Sequence, residues 1–454
     1  MSSEYPKALI MPLFALTVQQ SWTWKRLDEI STIFDCPHST PQLVSDLQTP
    51  YIARSQDIRT GVFLLNQAAR VSNETYVERI KRAIPEYGDL LYSREGTYFG
   101  IAAEVPKAIE VCLGQRMVLI KPKHAVINHS FLMYWLNSPQ VSSHINGFRD
   151  GTVAERLNLP TIRGLAVAFP PLEVQKNIAS ILTCIESRIS LLRETNTTLE
   201  AIAQTLFKSW FVDFDPVKAK AEGCLPEGMD EATAALFPNE FEESALGLIP
   251  KGWRVGMLGD IARLHKGSIN PLHHQNTVFE HYSLPSFDNG QSPVMEAGIE
   301  IKSNKTSVPK NAVLLSKLNP HIPRVWLPSK IGDNAVCSTE FLVFVPADGA
   351  SKEQVYCTFI AGSFQSSLLQ LVTGTSNSHQ RVKPDTVSAL PMVIPSSDIQ
   401  KVFEAVAKPL FARVGHNRQK AQTLTTLRDT LLPRLISGQL RLKQAREIMD
   451  EVGA

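Results

Sequence analysis

The side chains best equipped for chemistry lie in four polar runs, and the chemistry they suit is recognition rather than bond making. Ser93-Arg94-Glu95-Gly96-Thr97 follows the apolar Leu90-Leu91, and Ser316-Lys317-Leu318-Asn319 follows Val313-Leu314-Leu315, with His321 close behind. Further along stand Arg149-Asp150-Gly151-Thr152 and the donor-rich run Thr373-Gly374-Thr375-Ser376-Asn377-Ser378-His379-Gln380-Arg381. A reader of duplex DNA needs cations for phosphates and forked or amide side chains for base edges. As loops, these runs supply both. Any one of these residues reads equally well as part of a solvated turn; the recurrence of such loops at matching places favours them as units.

Patterns for catalysis are missing. No GxxxxGK[ST] phosphate loop and no GxGxxG after a strand occurs. Asn319-Pro320-His321 and Asp215-Pro216 resemble fragments of the amino-methyltransferase tetrapeptide, but neither continues with the second proline and aromatic that a base pocket needs. Pro384-Asp385 could open a nuclease carboxylate set, yet no Glu-x-Lys follows. His273, His274 and His281 sit without an adjacent carboxylate or thiol, so a polar surface is expected there and no metal site.

The chain has 454 residues, 43% hydrophobic and 20% charged, which suits two or three soluble domains. Its net charge of +2 is unevenly spread: residues 212–250 carry nine acids against Lys218 and Lys220, which leaves a moderately basic remainder. None of the six cysteines forms a CxxC pair or has zinc-finger spacing, so reduced thiols in a cytoplasmic protein are expected. The apolar stretch 8–18 is interrupted by Pro12 and lacks a cleavage pattern, which argues against an export signal. No run reaches the roughly 18 apolar residues of a membrane span, and no membrane partner is expected.

The elements that must position the polar runs come in two copies. An offset of 231 aligns Trp22 with Trp253, Leu27 with Leu258 and Ile30 with Ile261. An offset of 225 aligns Cys112 with Cys337, Ser138 with Ser363, Gln140 with Gln365 and Gln175 with Gln400, and Gly151-Thr152 answers Gly374-Thr375 at 223. The ordered series, with drifts that loop insertions explain, marks a duplication. Each copy reads as a mixed α+β domain. Buried strands are expected at 116–120 and 340–345, helices at 131–145 and 355–372, and closing strands at 165–169 and 390–394 that end at proline.

A long helix follows each copy. Ile178, Leu182, Ile185, Ile189, Leu192, Asn196, Leu199, Ala203, Leu206 and Trp210 alternate in steps of four and three, the spacing of a heptad seam. Its counterpart runs Phe403, Val406, Leu410, Val414, Asn417, Leu424, Leu427 and Leu431, opened by Ser397 and Gln400 at capping-box spacing. About 39 residues give each helix roughly 58 Å. So narrow an apolar stripe needs a partner, and the other helix is the nearest. Antiparallel pairing is favoured, since the pair then serves as a spacer; parallel pairing stays open. Asn196 and Asn417 either fix the register or lie at the surface through local curvature.

The succession domain, long helix, domain, long helix resembles the specificity subunit of type I restriction-modification enzymes. The segments that carry the likeness are FPPLEVQKNIASIL (169–182), LFKSWFVDFDPVKAKAEG (206–223), IPKGWRVGMLGDI (249–261) and LRDTLLPRLISGQLRL (427–442). SREGTYFGIAAEV, CLGQRMVLIKP and SKLNPHIPRVW are similar to segments of target-recognition domains. The resemblance implies an α+β chain: two similar mixed α/β target-recognition domains separated by two long helices paired as an antiparallel coiled coil, a pseudo-two-fold internal repeat. The expected boundaries are 1–170, helix 171–211, acidic linker 212–250, second domain 251–395, and second helix with tail 396–454.

It further implies that each domain reads half of a split double-stranded DNA target and that the helices set the gap. Methyltransferase subunits carrying S-adenosylmethionine would dock on helix flanks bearing Glu173, Glu186, Arg188, Arg193, Arg413, Arg418 and Arg428, and restriction subunits would add translocation and cleavage with ATP and Mg. No cofactor is expected on this chain. The DNA-contact candidates are Ser93, Arg94, Thr97, Arg149, Gly151, Thr152, Ser316, Lys317, Asn319, His321, Thr375, Ser376, His379, Gln380 and Arg381. Two rivals make different predictions. A stand-alone DNA enzyme would modify or cut DNA by itself, and a protein-binding scaffold would show no salt-dependent DNA affinity.

Overall fold

The computed structural model describes residues 18–19, 21–96, 98–146, 156–347, 349–372 and 380–452. They fall into two compact units, one within Met1–Ser190 and Ala421–Ala454, the other Leu191–Lys420. The division runs through both long helices because each helix contributes to two cores.

In the first unit a four-stranded antiparallel sheet runs in the order Ser31–Asp35, Met117–Pro122, Leu90–Ser93, Ile101–Glu104. Consecutive apolar residues in a strand imply cover on both faces, and all four of Leu90–Ser93 are buried. Helix His129–Leu136 packs beside this sheet, capped by Asn128, whose side chain accepts from the Phe131 amide at 2.9 Å. The chain enters and leaves together: Thr23–Arg26 pairs antiparallel with Ala166–Phe169.

The second unit repeats this plan. Its four-stranded sheet runs Ala262–His265, Phe341–Pro346, Val313–Ser316, Val325–Trp326. Entry strand Arg254–Met257 pairs with Pro391–Ile394 in the register of the first copy, Arg254 opposite Ile394 as Thr23 is opposite Phe169. Cys112 and Cys337 occupy matching buried strands, each pairing with a parallel neighbour through Ile52 or Tyr282. The helix expected at 131–145 is two helices, His129–Leu136 and Pro139–Asn146, and its counterpart is Lys352–Ile360 and Gly362–Gln370. These starts differ by 223, so the matches Ser138–Ser363 and Gln140–Gln365 are not structural. Ser138 precedes its helix and accepts from the Val141 amide at 3.3 Å, whereas Ser363 lies inside one.

The long helices span Leu172–Phe211 and Ser397–Ile436, 40 residues each. Gln175 and Gln400 anchor their starts identically: each side-chain amide donates to the proline carbonyl five residues back, Pro170 at 2.8 Å and Pro395 at 3.2 Å. That bond replaces the expected capping box, since Ser397 is already helical.

Within the second unit the pairing is antiparallel: Asn196 meets Asn417, while Phe207 and Trp210 meet Phe403. Ile178, Ile185, Asn196, Phe403, Asn417, Leu424 and Leu431 are buried. Leu192, Leu199, Leu206 and Leu410 are half-buried, and Val406 is exposed. Ala407, Phe411 and Ala421 take the inward places instead, so the second seam is rotated by about one residue near its start. Periodicity located the stripe but undervalued two alanines, whose small size lets the backbones approach.

The two asparagines are core residues. Asn417 Nδ2 donates to Asn196 Oδ1 at 2.9 Å, and Asn196 Nδ2 donates to the Val414 carbonyl at 3.2 Å. Asn417→Leu alone buries an acceptor without its donor and is expected to cost about 1–3 kcal/mol, read as a lower urea midpoint at unchanged m-value. The double Asn196→Leu/Asn417→Leu variant is expected to regain that loss while loosening the register. A double variant as unstable as the single would show that the pair stabilises the helices directly.

Residues 212–250 form structure of their own, not a loose linker. They comprise helices Asp215–Ala221 and Glu231–Leu236 and a hairpin of Phe241–Ser244 with Gly247–Pro250. Phe241 packs on Phe214, Phe214 on Trp253, and Phe237 on Trp210, so aromatic contacts hold the acidic segment down. Its acids are used locally: Asp230 caps a helix by accepting from the Thr233 amide at 2.8 Å, and Glu240 pairs with Lys251 at 2.5 Å. Four cysteines are buried, and Cys184 and Cys224 are exposed. Among the described residues no helix is long and apolar enough to cross a membrane.

Candidate nucleic-acid interface

In each copy the polar loop after the third sheet strand is stitched to the segment leading into the domain's last helix. In the first, Glu95 forms an antiparallel bridge with Arg156, and the Leu157 amide donates to the Arg94 carbonyl at 2.8 Å. In the second, Leu318 bridges Arg381, the Val382 amide donates to the Lys317 carbonyl at 3.1 Å, and the Asn319 amide donates to the Gln380 carbonyl at 2.8 Å. A third strand end joins: the Arg94 amide donates to Arg116 O at 3.0 Å, and the Lys317 amide to Glu340 O at 2.9 Å. Runs that lie about 60 residues apart in the chain therefore form one surface, built twice from the same hydrogen bonds.

Serine opens each loop from inside. Ser93 and Ser316 are buried, and their hydroxyls donate to Glu95 O at 3.5 Å and Leu318 O at 3.0 Å. Both hold the turn and do not face solvent, which removes them as direct base contacts. Asn319 takes the left-handed conformation with φ +50°, one that asparagine tolerates, so the chain can turn toward exposed His321.

The cations are oriented by carboxylates. Arg94 reaches Asp35 at 3.4 Å and Arg116 reaches Glu95 at 3.2 Å. Arg381 forms a fork on Glu340, with both bonds at 3.1 Å. Such pairs fix the direction of a guanidinium. Thr97, Arg149, Gly151, Thr152, Thr375, Ser376 and His379 lie outside the described residues.

Three residues at this surface escaped the sequence reading. Arg156 is the counterpart of Arg381 at the 225 offset, a signal the repeat itself carried. Arg116 answers Glu340 at an offset of 224, each accepting through its carbonyl from the loop's Arg94 or Lys317 amide. Arg59 stacks on Tyr98, its guanidinium carbon 3.9 Å from the ring centroid, and no spacing announces that contact. Elsewhere, His281 does have a carboxylate partner, Glu296 at 2.5 Å, and is mostly buried rather than on a polar surface. Asp385 is exposed and 3.6 Å from Lys266.

The chain thus holds two copies of one mixed domain, each with a stitched cationic loop surface and each followed by a 40-residue helix. Residues 19–201 match the family model of the type I restriction modification DNA specificity domain. The chain is 26% identical over 443 residues to the Type I restriction enzyme HindI specificity subunit of Haemophilus influenzae, spanning 84% of this chain and 94% of that one. It is 22% identical over 426 residues to the MjaIX specificity subunit of Methanocaldococcus jannaschii, spanning 90% and 88%. Its fold is similar to the crystal structure of a type I restriction-modification S subunit from M. genitalium, with a TM-score of 0.58 at 12% identity over 92% of this chain and 98% of that chain. The chain is thus similar to type I restriction-modification specificity subunits along most of its length, and its residues 19–201 match their DNA specificity domain.

Proposed function

We propose that this chain is the sequence-reading subunit of a type I restriction-modification complex and brings no catalysis of its own. Each domain reads one half of a bipartite duplex target through its stitched loop surface, and the helix pair sets the unread gap. Methyltransferase subunits dock on the helices and bring S-adenosylmethionine for adenine methylation. Restriction subunits add ATP- and Mg-dependent cleavage. The observation that carries the reading is the loop junction made twice with the same hydrogen bonds, Leu157 to Arg94 and Val382 to Lys317. A single site would not need both.

Co-expression with candidate methyltransferase subunits, followed by mapping of methylated adenines, tests this. The expected result is one split motif with a fixed gap. Absence of modification together with absence of DNA binding at any salt concentration defeats the reading, because phosphate contacts make such binding strongest at low salt.

A further inference from the structure

We propose that a pocket beside the second domain's recognition loop holds a backbone phosphate of the bound duplex; this rests on the DNA-reading role proposed above. The pocket has a volume of about 320 Å³, and its walls include His265, Lys266, Lys317, Thr339 and Asp385. Its cations lack strong partners. Lys266 and Asp385 are 3.6 Å apart with side chains 74% and 88% exposed, an ion pair that water and salt weaken. Among the described residues Lys317 has no carboxylate within ion-pair distance. Between them, a Cβ on Gly267 would stand 2.2 Å from Ser307 Oγ and 2.4 Å from His265 Nε2, so glycine leaves those two side chains in place. His265 is pinned by that same Ser307 hydroxyl at 2.8 Å.

The first domain shows what the second lacks. Lys266 is the counterpart of Asp35 at the 231 offset, and Lys317 that of Arg94 at 223. Asp35 sits 3.4 Å from Arg94, so the first domain supplies its cation with an internal anion. In the second domain a lysine replaces that carboxylate, and two ammonium groups share one cavity. The carboxylate in the pocket wall, Asp385, is 88% exposed and offsets them only weakly, which leaves room for an anion from outside the chain. Lysine ammonium groups act as point charges toward phosphate, and a pocket next to a recognition loop is where a duplex backbone runs.

The test uses the full-length chain with two duplexes of equal length, one carrying the target mapped by methylation and one unrelated, titrated across a salt series. Lys266→Gln is expected to weaken both complexes by about fivefold, and to lower the salt slope by about 0.9. Asp385→Asn, which removes the competing carboxylate, is expected to tighten both. Matching thermal melts exclude misfolding. A Lys266→Gln variant with unchanged salt slope and intact target preference overturns the phosphate site while the reading role stands. A change in preference at one base position also overturns it, because the pocket would then take a base edge. Wild-type chain that binds neither duplex at any salt sinks the reading role and this site together.

Discussion

Removing residues 187–193 together with 420–426 is expected to shorten the gap between the two half-sites by about three base pairs and to leave both half-sites unchanged. Seven helical residues amount to roughly 10.5 Å, and a duplex rises about 3.4 Å per base pair. A whole heptad keeps the seam in phase to within about 20°. The cut spares the cross-helix ion pair Glu186–Arg428 at 2.7 Å and the Asn196–Asn417 bond, so register markers survive on both sides. On a duplex with the original gap only one half-site can be engaged, and affinity is expected to fall by roughly 10³-fold or more. Titration against duplexes whose gap shrinks one base pair at a time reads the new optimum. An optimum that stays at the original gap, or altered half-sites, would show that the helices are not the ruler.

Phe403→Ala is expected to have the largest effect on stability, about 3–5 kcal/mol. Phe403 is fully buried, with ring centroids of Phe211, Phe207 and Trp210 at 5.1, 5.7 and 6.0 Å. Truncation leaves a void at the place where both long helices and the second domain meet, and those rings are too rigid to refill it. Phe403→Leu restores much of the volume and is expected to cost less. Calorimetry gives the loss, and hydrogen exchange should place the loosening around 203–261 and 399–411. A loss under about 1 kcal/mol would show that the cluster repacks freely, contrary to expectation.

Local pattern made much of this legible. The 225 offset of Gln175 and Gln400 predicts two equivalent helix starts, and both glutamines bond the proline carbonyl behind them. The pairs Trp22–Trp253, Leu27–Leu258 and Ile30–Ile261 are buried in both copies because the same short helix opens each domain. Composition misled where burial is aromatic and long-range. The acids and prolines of 212–250 read as a linker, yet Phe214, Phe237 and Phe241 reach partners that no periodicity reveals. Pro409 lies inside the second long helix, where local rules expect a break.

The duplication, the two long helices and the stripe along each were readable from residue order, since these depend on repeats and on the 3.6-residue period. Which residues of the second stripe face inward was set by long-range packing, with Ala407 and Phe411 displacing Val406. Packing likewise joined Glu95 to Arg156 and Leu318 to Arg381. Those contacts close loops of about 60 residues, and a closure that long follows from how a whole sheet packs, not from the residues at its ends. Lys266, Lys317 and Asp385 are likewise far apart in the chain, which is why the second domain's weakly compensated cations emerged only once the chain was folded.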